Sequence, residues 1–133
     1  MQPPSLATKE KNTMEKIHPN GIITYTAAAA ITRGQPLKFS SGKVTPTTAA
    51  TDLAIGIALD SAASGDIVPV AILGAYTGTV ELKAGGAISA GAQVTAAATA
   101  TSAATDVIIG VALEAAAASG AYIEIAHQCG QIK

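Results

Sequence analysis

The segment TDLAIGIALD at residues 51–60 recurs as TDVIIGVALE at residues 105–114, 54 positions later. In both copies a run of aliphatic residues is interrupted by one glycine, Gly56 or Gly110. A glycine inside a strand marks a bulge or a close approach of another backbone. The runs are short, rich in β-branched residues and bounded by polar ones, which favours strands. This stretch therefore predicts a β-protein built from two similar halves.

The repeat extends to both sides of this segment. Residues 30–37 (AITRGQPL) align with residues 87–94 (AISAGAQV), and residues 64–71 (SGDIVPVA) align with residues 119–126 (SGAYIEIA). In each half the first segment places a glycine at a turn that needs positive φ, and the second begins with a Ser-Gly hairpin turn. Two copies predict two β-units packed face to face, or closed into one pseudo-symmetric barrel.

The chain has the length of one domain, at 133 residues. We expect residues 1–20 to form an extended N-terminal arm, because they hold three prolines and no sustained alternation of apolar and polar residues. Residues 21–133 then form a single β domain, with the internal repeat at about 27–71 and 84–126. The predicted fold class is all-β, as a small β-sandwich or β-barrel.

Segments rich in Val, Ile and Thr recur along this domain, separated by Gly, Ser, Asp and Pro. Their number and brevity favour a sandwich or barrel over alternating strands and helices. The predicted strands are residues 22–26, 37–39, 54–59, 67–73, 77–82, 93–95, 107–113 and 122–126. Three alanine-rich stretches (27–30, 96–104 and 115–118) are too short and too poorly capped for helices, so loops or single turns are expected there.

Composition and charge argue against several classes of protein. Charged residues make up 13% of the chain, against about 25% in an average protein, and the net charge of −1 disfavours nucleic-acid binding. No apolar run reaches the ~20 residues of a membrane span, and the N-terminus lacks the apolar region of a signal peptide. Cys129 is the single cysteine, which excludes an intrachain disulfide. We expect a soluble protein, cytoplasmic at synthesis, with neither nucleic acid nor membrane as a partner.

Candidate chemical groups are sparse. His127 and Cys129 lie close in sequence, but a structural zinc site needs about four ligands, so we interpret them as an edge histidine and an unpaired thiol in a C-terminal tail. Asp52 and Asp106 occupy equivalent places in the two halves. We interpret both as turn residues whose carboxylates bind the local backbone. No catalytic residue, metal or cofactor is expected, and the chain is not predicted to be an enzyme.

The few aromatic residues are too dispersed for a base-stacking platform. We expect them to be core or interface anchors; they are Tyr25, Phe39, Tyr76 and Tyr122. One rival interpretation is a carrier domain of the biotinyl type, for which Lys83 followed by Ala84-Gly85 is a loose candidate. Another is a carbohydrate-binding module, which the scarcity of aromatics disfavours.

Four segments in a fixed order resemble a known family. They are ITRGQPL at residues 31–37, IGIA at 55–58, ASGD at 63–66 and IVPV at 67–70. Their order and spacing are similar to the pattern of the phage capsid cement, or head decoration, proteins. The resemblance covers roughly residues 21–126, and the second half repeats it in weaker form.

The resemblance implies a virion protein, made in the host cytoplasm, that binds the outside of a tailed-phage shell with the HK97 fold. It implies the major capsid protein as a partner, self-association with a homotrimer favoured, and stabilisation of the shell by clamping neighbouring capsomers. The alternative is another virion β-module, such as a spike, a fibre or a carbohydrate-binding domain. The predicted contact residues lie in or beside the arm and are Lys9, Lys11, Lys16, Ile17, His18 and Pro19.

Overall fold

The computed structural model describes residues 18–132, with side chains up to Cys129. These residues form nine strands and no helix. The strands are β1 (Ile22–Thr26), β2 (Pro36–Ser40), β3 (Lys43–Pro46), β4 (Gly56–Ala58), β5 (Ile67–Ile72), β6 (Val80–Lys83), β7 (Gln93–Thr95), β8 (Val107–Ala112) and β9 (Tyr122–Ile132). The three alanine-rich stretches lie in loops, turns and bends, as predicted.

The strands form two antiparallel sheets. The first has the order β1-β5-β4-β2-β3 and the second the order β6-β9-β8-β7. A parallel bridge between Ala27, just after β1, and Val44 in β3 joins the two edges of the first sheet. This sheet therefore curls towards closure. The all-β fold class with two similar halves is confirmed.

The internal repeat has a structural counterpart. Strands β1, β5, β4 and β2 correspond to β6, β9, β8 and β7, in the same order within each sheet. The register agrees at single residues: Ile23 lies opposite Val70 in the first sheet, and Val80 lies opposite Ile125 at the equivalent place in the second. We call residues 21–79 the first unit and residues 80–132 the second unit.

The buried hydrophobic residues form two clusters. One lies within the first unit; its buried members are Ala27, Ile31, Leu37, Val44, Ala58, Val68 and Val70. The other, which we call the shared core, is mostly formed by the second unit. It also takes in buried side chains from the opposite face of the first sheet, namely Ala54, Ile57, Ala71 and Leu73. One face of the first sheet thus packs against the core residues of the second unit.

The two central glycines allow strands to approach closely. A Cβ atom on Gly56 would lie 2.5 Å from the carbonyl oxygen of Ala71, and one on Gly110 would lie 2.5 Å from that of Ala126. A register shift between Ile108 and Gly110 marks a bulge in the second sheet. Both features agree with the sequence-based interpretation.

The structure differs from the predicted strands most clearly at three places, besides shifts of one or two residues at other strand ends, as in β4. Strand β3 was not predicted, because KVTP offers a single buried aliphatic residue and a proline. Strand β6 begins at Val80 rather than at residue 77. Strand β9 continues to Ile132, so Cys129 lies in a strand and not in a tail; the polar sequence HQCGQ hides this extension, which depends on pairing with β8.

Candidate functional site

His127 fastens a loop to β9. Its Nδ1 accepts a hydrogen bond from the backbone N–H of Gly74 at 3.0 Å, and its Nε2 lies 2.9 Å from the carbonyl oxygen of Gly78. A carbonyl only accepts, so this network assigns the proton to Nε2. The ring also lies 5.9 Å from that of Tyr76. Both nitrogens serve the fold, and no group of three potential metal ligands occurs among residues 18–129.

Asp52 and Asp106 organise equivalent loops. Asp52 Oδ2 accepts the backbone N–H groups of Thr48 and Ala49 at 2.8 and 3.0 Å. Asp106 Oδ2 accepts those of Ser102 and Ala103 at 2.9 and 3.0 Å. The hydrogen bond from Thr48, followed by those from Ala49 and Lys38, lowers the pKa of Asp52 below its usual value. Both carboxylates therefore act as turn residues, as the sequence predicts.

Lys83 does not offer a carrier site. It ends β6 rather than occupying the tip of a hairpin. Its backbone N–H donates to the carbonyl oxygen of Gly34 in the first unit, at 2.9 Å. Lys83 therefore lacks the hairpin-tip position that a carrier lysine needs, and it lies where the two units meet.

Polar contacts connect the two units at their junction. Arg33 forms an ion pair with Glu81 and lies over the ring of Tyr122, 4.4 Å from its centroid. The Tyr122 hydroxyl donates to the carbonyl oxygen of Arg33 at 3.1 Å. The hydrogen bond to Glu81 raises the pKa of Arg33 above its ordinary value.

An apolar groove lies open on the first unit, and Cys129 of the second unit also lines it. Its floor and walls are Ile23, Tyr25, Phe39, Leu53, Ala54, Ile55, Ile72, Leu73 and Cys129. Two of these large apolar side chains are exposed to solvent: Phe39 is 52% exposed and Leu53 is 67% exposed. Tyr25 packs edge-on against Phe39, with 5.4 Å between ring centroids.

This groove is the feature that the sequence did not localise. Tyr25 and Phe39 were expected to be core or interface anchors, and Phe39 is too exposed to be a core residue. Exposed apolar patches of this kind on small proteins mark sites of association. The signal that could have found it is the repeat itself, because residues 53 and 55 align with residues 107 and 109 of the second copy.

The predicted contact residues are only partly described. Lys9, Lys11, Lys16 and Ile17 fall outside residues 18–132. His18 and Pro19 are exposed ahead of β1, where the carbonyl oxygen of His18 accepts the N–H of Gly21 at 2.8 Å. The proposed arm and its contacts therefore stay predictions.

Among the described residues, no helix has the length and hydropathy of a membrane span.

Comparisons with known proteins identify one family and one similar fold. The family model described as phage cement protein matches residues 15–127. The solved structure of the head fiber gp8.5 N base of bacteriophage phi29 superposes with a TM-score of 0.61 at 17% identity, covering 84% of this chain and 97% of that one. At this identity the likeness concerns the fold. A search of curated proteins gave no match.

Proposed function

Because the chain belongs to the phage cement protein family, it is a phage virion structural protein, and we propose that it binds the outer surface of a tailed-phage capsid and stabilises the shell by clamping neighbouring capsomers. The observation that carries this proposal is the family match, which spans nearly the whole described domain. Its principal partner is then the major capsid protein, and no catalytic step is needed.

The surface of the molecule suits such a role. Large apolar side chains are exposed on the described part of the chain at Phe39, Leu53, Ile67 and Leu113, with Ile67 at 70%. Stable interfaces are depleted in charge and rich in aromatic and aliphatic contacts at their centre. The chain has few charged residues, at 13%. These features favour a protein that works in association with others.

The proposed mechanism is multivalent binding. Each subunit contributes weak contacts, and a homotrimer multiplies them because the second and third contacts form at high effective concentration. The contacts proposed for the arm come from the residues predicted above, Lys9, Lys11, Lys16, Ile17, His18 and Pro19. A polar segment that becomes ordered on a partner surface can span the gap between neighbouring capsomers.

The test of the capsid role is copy number and shell stability. We expect purified particles to contain about one copy per major capsid protein, a ratio at which every capsomer can be contacted. Particles lacking the protein are expected to lose DNA at a lower temperature, and added protein should restore them. Deletion of residues 2–16 should weaken rebinding to such particles; unchanged binding would remove the arm from the mechanism.

The second candidate is a spike or fibre module of the virion. The observation that favours it is the fold shared with the base of a head fiber. A fibre is expected at only a few copies per particle, and its loss should leave the thermal stability of the shell unchanged. Copy number therefore separates the two candidates.

A further inference from the structure

We propose that the apolar groove of the first unit binds the second unit of another copy of the chain, in the same head-to-tail arrangement that the two units adopt within one chain. This inference rests on the self-association in the proposed function and assigns its two surfaces. It comes from the internal repeat. One junction between units is present in the chain, where the outer face of the first unit meets the second unit. The two surfaces that would form an equivalent junction, the groove of the first unit and the outer face of the second, are left uncovered.

The groove is the uncovered counterpart of a buried surface. Leu53 is 67% exposed, whereas Val107, which aligns with it, is 4% exposed. Tyr25 is half-buried, whereas Leu82 at the equivalent register position is fully buried. Two further pairs behave in the same way: Ile23 with Val80, and Ile55 with Ile109. In the second unit these positions belong to the shared core, which the first unit helps to close.

The second unit carries the matching outer face. Ile57 and Ala71 are paired on the face of the first sheet that meets the second unit, and they are 0% and 2% exposed. Their equivalents, Val111 and Ala126, are also paired, but they are half-buried and exposed. Leu113 is 49% exposed where its counterpart Leu59 packs against the shared core.

A pair of glycines shows the same asymmetry. A Cβ atom on Gly34 would lie 2.8 Å from the backbone nitrogen of Lys83 and 3.0 Å from the ring of Tyr122. The equivalent glycine, Gly91, also has positive φ, yet a Cβ atom there would meet nothing within 4 Å. The second unit thus presents an open copy of the surface that the first unit uses in the junction.

The internal junction predicts the contacts between copies. Within the chain, the N–H of Val107 donates to the carbonyl oxygen of Ala50 at 2.8 Å. By equivalence, the N–H of Leu53 in one copy is expected to donate to the carbonyl oxygen of Ala104 in the next. Ile67, which aligns with Tyr122, then lies against Gly91 of the next copy.

Such a contact is heterologous, since a groove on one copy meets a different surface on the next. Heterologous contacts produce a closed ring when the rotation between subunits closes, and an open filament otherwise. In a ring of n chains, units alternate around the axis and every junction has the same type. This arrangement covers each groove and buries the exposed leucine of each outer face.

The first test uses one charge on each surface. We expect Leu53→Glu, in the groove, and Leu113→Glu, on the outer face, each to raise the dissociation constant of the oligomer by at least about 100-fold, because an unpaired carboxylate resists burial. Both side chains are exposed in the monomer, so circular dichroism and the melting temperature of the monomer should not change. Light scattering after gel filtration gives the mass.

Mixing the two variants tests the head-to-tail geometry. Each variant keeps one intact surface, so a mixture of Leu53→Glu and Leu113→Glu should form a one-to-one complex and nothing larger. A wild-type chain that stays monomeric up to its solubility limit would overturn the proposal. An oligomer that survives both substitutions would do the same.

A designed ion pair gives an independent reading of the register. Arg33 and Glu81 face each other across the internal junction, and their equivalents, Ala90 and Thr24, are exposed. The double variant Thr24→Glu/Ala90→Arg should assemble as tightly as the wild type. The matched control Thr24→Glu/Ala90→Glu should assemble about three- to tenfold more weakly. Equal assembly of the two double variants would contradict the register.

The rate of chemical labelling of Cys129 shows whether the groove is occupied, because the exposed thiol of this residue lines the groove. Maleimide should label the thiol slowly in the wild-type oligomer and rapidly in monomeric Leu113→Glu. Slow labelling of that monomer, accelerated by deleting residues 2–16, would identify the chain's own N-terminal segment as the occupant and overturn the proposal. Protection that appears only on capsids would also overturn it, while leaving the capsid role intact.

Discussion

At the scale of single residues, the carboxylate of Asp52 stabilises a loop and makes the free energy of unfolding depend on pH. The bonds from Thr48 and Ala49 lower its pKa in the folded state. The stabilisation is therefore complete above the unfolded pKa of about 3.9 and is lost as the pH falls through the lower folded value. Asp52→Ala should lower the free energy of unfolding by about 1–2 kcal/mol at pH 7. Urea unfolding at pH 7 and at pH 3 checks this, because the difference should shrink at the lower pH.

Asp66 supplies the control for this prediction, since it is an exposed aspartate at a turn of the same unit. Asp66→Ala should change the free energy of unfolding by less than about 0.5 kcal/mol at either pH. If the two alanine variants were equally stable at pH 7, the hydrogen bonds of Asp52 would not be the source of its effect.

Gly56 sets how closely two strands can approach. The missing Cβ atom leaves room for the carbonyl oxygen of Ala71 and for a methyl group of Val70, both 2.5 Å from the position that a Cβ would take. Gly56→Ala should therefore lower the free energy of unfolding by about 1–3 kcal/mol, as overpacking of a core does. Denaturant unfolding measures this.

Gly86→Ala is the matched control for Gly56→Ala. A Cβ atom there would be 3.8 Å from its nearest neighbour, Thr99, which is ordinary van der Waals contact. We expect this variant to be as stable as the wild type, or slightly more stable because the unfolded chain loses freedom. Equal destabilisation of both variants would show that backbone flexibility, and not strand packing, accounts for Gly56.

At the scale of secondary-structure elements, His127 connects β9 to the loop between β5 and β6. Its two ring nitrogens contact backbone groups of Gly74 and Gly78. His127→Ala should increase amide exchange at Gly74 by about tenfold, since a lost hydrogen bond of this kind is worth about 1 kcal/mol or slightly more. Hydrogen exchange followed by NMR detects it. His18→Ala, at an exposed residue ahead of β1, is the control and should leave Gly74 unchanged; faster exchange in both variants would contradict the assignment.

The elements also show what the sequence could predict. Strands with a run of β-branched and other aliphatic residues, such as β5 and β8, follow from the repeat and from the sequence pattern. Strand β3 does not, because its identity depends on the tight turn at Ser41-Gly42, where both residues have positive φ, and on pairing with β2. The polar end of β9 likewise depends on a distant partner. Patterning predicts burial within a segment, whereas partners far along the chain decide the rest.

The same limit applies to the candidate site. The sequence marks Tyr25 and Phe39 as anchors but does not say which units cover which surfaces. Leu53 and Val107 have almost the same sequence context and opposite exposures, at 67% and 4%. The difference arises because a repeat of two has one internal junction and two free ends. Only the arrangement of the units in space separates a core position from an interface position.

At the scale of the whole molecule, the shared core makes the two units one cooperative body. Ile57 of the first unit is fully buried together with Leu82 and Ile123 of the second. Unfolding the first unit would therefore expose buried side chains of the second unit, whose described core residues almost all belong to the shared core. We expect one unfolding transition, with coincident curves from circular dichroism and tyrosine fluorescence.

A substitution inside the first unit tests this cooperativity most sharply. Val44 belongs to the cluster within that unit and is not a member of the shared core. Val44→Ala should cost about 2 kcal/mol and should raise the exchange of the Ile125 amide, in the second unit, as much as that of Val70, in the first. Ile57→Ala, in the shared core, should affect the two amides equally as well. If Val44→Ala accelerated exchange at Val70 and left Ile125 protected, the second unit would be stable on its own. The internal junction would then join two units that unfold independently, and the stability of the chain would say nothing about the free energy of the equivalent contact between copies.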